Sequence, residues 1–170
     1  MDWDATVDVL GPKLFRYFCA RVHQAHAADL VQETLLRLVQ KVDAGQFDPG
    51  RGPIVAYAFG IAHFVYKESV KARRLEIVTT VDDAGVAAVA SSAPLSDAVA
   101  EEHAMTASLR RAISALPDAE QNIITLLLDR DLTLPEIAII VGMPVGTVKS
   151  HIHRAKENLK KSMTPSRRSL

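Results

Sequence analysis

Apolar side chains recur three and four positions apart along most of the chain, and that period commits it to helices. Val7, Leu10, Leu14, Phe18 and Val22 mark one face of a helix over about 4–22. Leu30, Val31, Thr34, Leu35, Leu38, Val39 and Val42 mark the inward face of a second, over about 27–42. Between Gly45 and Gly52, three glycines and Pro49 interrupt the pattern, so a loop is expected there. Pro53 suits the first turn of a third helix, where its missing N–H is no loss, and that helix is expected to run to Arg74. With long runs of Ala, Leu, Val and Ile, few turn signals and only 5% aromatics, the fold class is expected to be all-α.

The formal net charge is zero, which by itself argues against a nucleic-acid partner. The distribution reverses that impression. Residues 44–75 carry five basic and two acidic groups, and residues 145–170 carry seven basic and one acidic. Residues 76–104 hold six acids and neither Lys nor Arg. Neutrality is therefore a cancellation between a basic patch, an acidic middle and a basic tail. The middle, from Val78 to Ala100, mixes small residues, serines, acids and a proline without a sustained period, and reads as a flexible acidic linker between two small helical domains.

The second half carries the sharper signal. Helices are expected from about Glu102 to Leu116, ending at Pro117, and from Asp118 to Asp129. Thr133 and Glu136 have capping-box spacing with Pro135 in the first turn, so a short helix should cover Leu134 to Val141. Gly142 ends it, and Met143-Pro144 makes the turn. Val145, Val148, Ile152, Ala155 and Leu159 then fall on one face of a last helix, leaving Thr147, Ser150 and Arg154 on the other, flanked by Gly146, Lys149, His151 and His153. A packed back and a front of small residues and hydrogen-bond donors are what a DNA recognition helix needs. In the first half, His63, Lys67, Lys71 and Arg74 follow a four, four, three spacing and form a basic stripe able to track a phosphate backbone, with Phe64 and Tyr66 beside it as stacking candidates.

The segment Ala138 to Lys156 resembles the minus-35-binding region 4 of extracytoplasmic-function sigma factors, whose usual form is close to EIAEILGIPVGTVKSRLHRAR. Ala115-Leu116-Pro117-Asp118 is similar to the entry motif of the same domain, and Asp29 to Leu38 to the family's DLVQETFLRV helix. Phe47-Asp48-Pro49 and Ala58-Phe59-Gly60-Ile61-Ala62 fit the loop and helix that follow, so the resemblance spans Leu10 to Lys161 in the expected order. It implies a three-helix region 2 over 1–76, a linker over 77–103 and a four-helix region 4 with a helix-turn-helix over 104–170. It further implies an alternative sigma factor that loads core RNA polymerase, through its β′ coiled coil and β flap, onto promoter DNA. On that resemblance, Asp29, Gln32 and Glu33 contact the polymerase. Phe47, Arg51, His63, Phe64, Lys67, Lys71 and Arg74 take the minus-10 strand, and Thr147, Lys149, Ser150, His151 and Arg154 read the minus-35 element. An anti-sigma factor or other regulatory protein is a further implied partner. The chain departs from the family pattern at His26-Ala27-Ala28-Asp29, where an acidic quartet is usual, and at Phe64, Ser69 and His151, where Asn, Arg and Arg are common.

An enzyme is not expected, since the chain has no glycine-rich phosphate loop, no nucleophile elbow and no HExxH pair. His23-x-x-His26 and His151-x-His153 have no cysteine nearby, so neither a metal site nor any other cofactor is expected. Cys19 is the only cysteine, no run is long and apolar enough to span a bilayer, and no signal segment opens the chain, so a cytoplasmic protein without membrane insertion is expected. The competing reading is a helix-turn-helix promoter-binding regulator that does not load polymerase.

Overall fold

The computed structural model describes residues 2–79 and 107–163, with side chains up to residue 75 in the first stretch. All regular structure among these residues is helical. α1 (Trp3–Cys19) starts where Asp2 accepts a hydrogen bond from the Ala5 N–H at 3.2 Å, satisfying one of the free donors of a helix start. α2 (Gln24–Asp43) begins three residues before the sequence expectation, with His23 as its N-cap. A short 3-10 turn over Pro49–Arg51 follows, and α3 (Ile54–Thr79) runs five residues past Arg74.

In the second half, residues 107–114 form α4, followed by α5 (Asp118–Leu127), α6 (Leu134–Val141) and α7 (Val145–Met163). The linker reading falls mostly on residues 80–106, which lie outside the described residues.

Leu10, Leu14 and Phe18 from α1, Leu30 and Leu38 from α2, and Phe59, Ala62 and Val65 from α3 are buried together. Tyr17 packs edge-on to Phe18 and Phe59, with ring centroids 5.2 and 5.5 Å away. Thr34, inward as its spacing predicts, satisfies its buried hydroxyl by donating to the Leu30 carbonyl at 2.7 Å. The second half has its own small cluster of Ile113, Leu116, Ile124 and Ala155.

The larger core does not stop at the domain boundary. Ile123, Leu126, Leu132, Ile137 and Val148 belong to the same buried cluster as Leu10 and Phe59, and α3 packs directly on α6. The reason lies in α5, where every residue from Glu120 to Leu126 is buried. A helix that packs on only one side buries a stripe, whereas one enclosed on several sides needs a second partner. Here α7 covers one side and α1 and α3 approach the other.

Candidate nucleic-acid interface

The helix-turn-helix is built from local chemistry. Thr133 Oγ1 accepts from the Glu136 N–H at 3.4 Å while the Glu136 carboxylate accepts from the Thr133 N–H at 2.7 Å, closing a capping box at the start of α6. Gly142 ends α6 at φ +68°, a left-handed conformation that costs glycine nothing and disfavours other residues. The turn delivers α7 with Val148, Ile152 and Ala155 buried and Val145 and Leu159 half-buried. Thr147, Lys149, Ser150 and Arg154 stand exposed on the other side, and His151 is half-buried. At Gly146 an added Cβ would meet no atom within 4 Å, so the first turn of α7 leaves open space for close approach.

Arg154 is held rather than free. Its Nε lies 3.7 Å from Oε1 of Glu120, and its Nη2 donates to His151 Nδ1 at 3.1 Å. Glu120 is buried, and its other oxygen accepts from Asn158 Nδ2 at 3.2 Å. Buried polar oxygens need hydrogen-bond partners, and here α7 supplies them to α5, so the two helices share a polar brace directly behind the exposed face.

On the first half, Lys67, Lys71 and Arg74 are exposed along α3 as the stripe requires, and Phe64 is 58% exposed instead of entering the core. Arg51 is exposed on the 3-10 turn, which Asp48 caps by accepting from the Gly50 N–H at 2.9 Å. Phe47 packs on Tyr57 with ring centroids 5.3 Å apart. Phe47, Arg51, Tyr57 and Phe64 line a cavity of about 750 Å³, of a size that accepts small molecules or a nucleobase, and Ile139 and Ile140 of α6 supply part of its wall.

One stripe residue, His63, and one stacking candidate beside it, Tyr66, behave differently from the sequence expectation. His63 is half-buried and turned towards the second half, where its Nδ1 lies 2.9 Å from Asn122 Nδ2. Burial first, then the charges of Lys67 and Arg21, push the imidazole down to a pKa of about 4, so it is neutral at physiological pH. Tyr66 is half-buried beneath the Arg21 guanidinium, 5.1 Å from its ring centroid, so its face is already taken. On α2, Asp29 and Gln32 are exposed. Glu33 is half-buried and pairs with Arg37 at 2.6 Å, and Arg37 pairs in turn with Glu68 of α3 at 2.6 Å.

Sequence reasoning missed the residues at which the halves meet: Lys13, Tyr17, Arg21, Gln121 and Asn122. The one available signal was the polar pair Gln121-Asn122 directly before the apolar run from Ile123, on a helix too apolar for a single buried stripe.

Comparisons with known proteins show which family the chain belongs to. The family described as Sigma-70 region 2 matches residues 7–76, and Sigma-70, region 4 matches residues 106–159. The chain is 32% identical over 133 residues to the ECF RNA polymerase sigma factor EcfG of Rhodopseudomonas palustris, covering 78% of this chain and 68% of that one. It belongs to the extracytoplasmic-function sigma factors. The sigma factor SigW of Bacillus subtilis is 27% identical over 164 residues, covering 92% of this chain and 86% of the relative. The fold is that of the sigma factor RpoE solved with the anti-sigma factor NepR from Bartonella quintana, with a TM-score of 0.75, 22% identity, and coverage of 98% of this chain and 99% of that one. The first three helices are therefore sigma region 2, α4–α7 are region 4, and the chain is an alternative sigma factor that binds core RNA polymerase and directs promoter recognition. No described helix of this sigma factor is long and apolar enough to cross a membrane.

Proposed function

We propose that this sigma factor reads the minus-35 element with Thr147, Lys149, Ser150, His151 and Arg154 of α7. The minus-10 strand runs along Arg51, Lys67, Lys71 and Arg74, with Phe47 and Phe64 offering aromatic faces and His63 joining once it is released from Asn122. The single observation that carries this reading is the two-sidedness of α7, which has a fully buried back at Val148 and Ala155 and an exposed front at Thr147, Ser150 and Arg154.

Asp29 and Gln32, with Glu33, form the face offered to the polymerase β′ coiled coil, and region 4 meets the β flap. Exposure of the first two supports this assignment. Work with RNA polymerase fits a cytoplasmic protein and calls for no catalytic centre of its own. A regulatory protein partner fits as well, since the relatives RpoE and CnrH were solved with the anti-sigma factor NepR and the cytosolic domain of CnrY.

Transcription by core polymerase with and without this subunit, followed by mapping of the start sites, tests the reading. Discrete starts that depend on the subunit are expected. Tight duplex binding by the free chain, with no subunit-dependent start, would instead make it a helix-turn-helix regulator that does not load polymerase.

A further inference from the structure

The cavity of about 750 Å³ between α3 and α6 brings three kinds of group to one space. Its walls are apolar, with Tyr57 and Phe64 from α3 facing the same volume as Ile139 and Ile140 from α6. Phe64 is 58% exposed and Ile139 76%, so large apolar side chains on both helices stand against this space without a cover. Gly60 adds depth, because a Cβ there would meet no atom within 4 Å.

The polar lining is only partly satisfied by the protein itself. Of the cations, Arg37 is taken by Glu33 and Glu68, each at 2.6 Å. Lys41 donates to the neutral amide oxygen of Gln46 at 3.1 Å, and Arg51 pairs with no carboxylate among the described residues. Each of the two lining carboxylates uses one oxygen in a local cap: Asp48 Oδ1 accepts from the Gly50 N–H at 2.9 Å, and Glu136 Oε2 accepts from the Thr133 N–H at 2.7 Å. Asp48 Oδ2 and Glu136 Oε1 accept no hydrogen bond from the described residues.

Apolar surfaces, uncompensated cations and idle acceptor oxygens around one space define a ligand class. A planar ring fills the apolar part, an anion meets Lys41 and Arg51, and hydroxyl or amino donors meet the two carboxylates. A simple aromatic acid leaves the acceptors unmet, and an inorganic anion leaves the apolar walls bare. We infer that this cavity is a binding site for a free nucleoside monophosphate, with its base against Phe64 and Ile139 and its phosphate on Lys41 and Arg51. The inference goes beyond the promoter reading, in which Phe47, Arg51 and Phe64 serve a strand held along α3. A promoter strand offers the same base and phosphate chemistry, but that reading gives α6 no part, whereas Glu136, Ile139 and Ile140 form one side of this cavity. A strand must enter and leave, while a single nucleotide fits between α3 and α6. The α6 wall is therefore what separates the two ligands.

Isothermal titration calorimetry of the full chain, without polymerase, against adenosine monophosphate and guanosine monophosphate tests the site. Saturable binding of at least one of them, one per chain, is expected. The matching nucleoside, which lacks the phosphate, and ribose phosphate, which lacks the base, should each bind about tenfold more weakly. Arg51→Ala should weaken nucleotide binding by about five- to tenfold. Ile139→Asp changes a side chain exposed enough to be replaced without unfolding α6, and puts a negative charge where the base and phosphate must pass. It should abolish nucleotide binding, while the same variant on core polymerase takes a single-stranded minus-10 oligonucleotide as well as the wild type does. No saturable binding of either nucleotide would overturn the site. Ribose phosphate bound as tightly as the nucleotide would overturn the role of the apolar walls and leave a patch for anions. Nucleotide binding unchanged in both Arg51→Ala and Ile139→Asp would overturn the location, and equal loss of nucleotide and oligonucleotide in Ile139→Asp would assign the cavity to the promoter strand instead.

Discussion

Arg154 and Glu120 face each other at 3.7 Å across the α5–α7 contact, so the guanidinium at the front of the recognition helix is tied to a carboxylate only 5% exposed at its back. Such a tie limits the rotamers of a long side chain before DNA arrives. A residue held in place loses less conformational freedom on binding than one that searches, which favours base reading over loose phosphate contact.

Arg154→Ala should therefore remove about 1 to 3 kcal/mol of discrimination at one minus-35 base pair, measured by promoter competition. Arg154→Lys keeps a cation near Glu120 and should restore thermal stability without restoring specificity, because a lysine cannot donate two fixed parallel bonds.

Lys149 is exposed and lies on the flank of the same face. Lys149→Ala should weaken binding to all sequences to a similar degree and flatten the dependence of affinity on salt by about one unit of slope. A sequence-dependent loss at constant slope would move Lys149 from phosphate to base.

These side chains were legible in the sequence because their placement is local. The 3.6-residue period, the Thr133–Glu136 box and Gly142 are each set within one or two turns of chain, and all three appear as their spacing predicts. The stripe on α3 and the aromatics beside it were legible in part: Lys67, Lys71 and Arg74 point to solvent, whereas His63 of the stripe and the neighbouring Tyr66 are taken up by Asn122 and Arg21. Asn122 finds its partners 105, 101 and 59 residues away in sequence, and no local pattern carries that information.

The polymerase-facing helix yields a mixed expectation. Asp29→Ala combined with Glu33→Ala should weaken core polymerase pull-down at least several-fold. Loss of Glu33 also leaves Arg37 with Glu68 alone, but exposed pairs of this kind contribute only about 0.3 to 0.5 kcal/mol, so the thermal midpoint should barely move. A large fall in midpoint would assign the helix face a structural role instead.

Acid should act on His63. Its folded pKa is lowered from 6.5 to about 4, so the folded form favours the neutral ring. The stabilisation it contributes is complete above the unfolded value of 6.5 and is lost progressively as pH falls from there towards 4. The ring's NMR titration should have its midpoint near pH 4 in the wild type and move upward in Asn122→Ala, where the truncated side chain lets water reach the ring.

Run-off transcription on paired promoters that differ only in the minus-35 element tests the central claim most directly. Reconstituted with core polymerase, the wild-type factor should initiate strongly from the intact promoter and weakly from the scrambled one, and Arg154→Ala should abolish most of that difference while leaving the weak level unchanged. If the wild type uses both promoters equally, or if Arg154→Ala lowers both in the same proportion, then α7 does not read the minus-35 element.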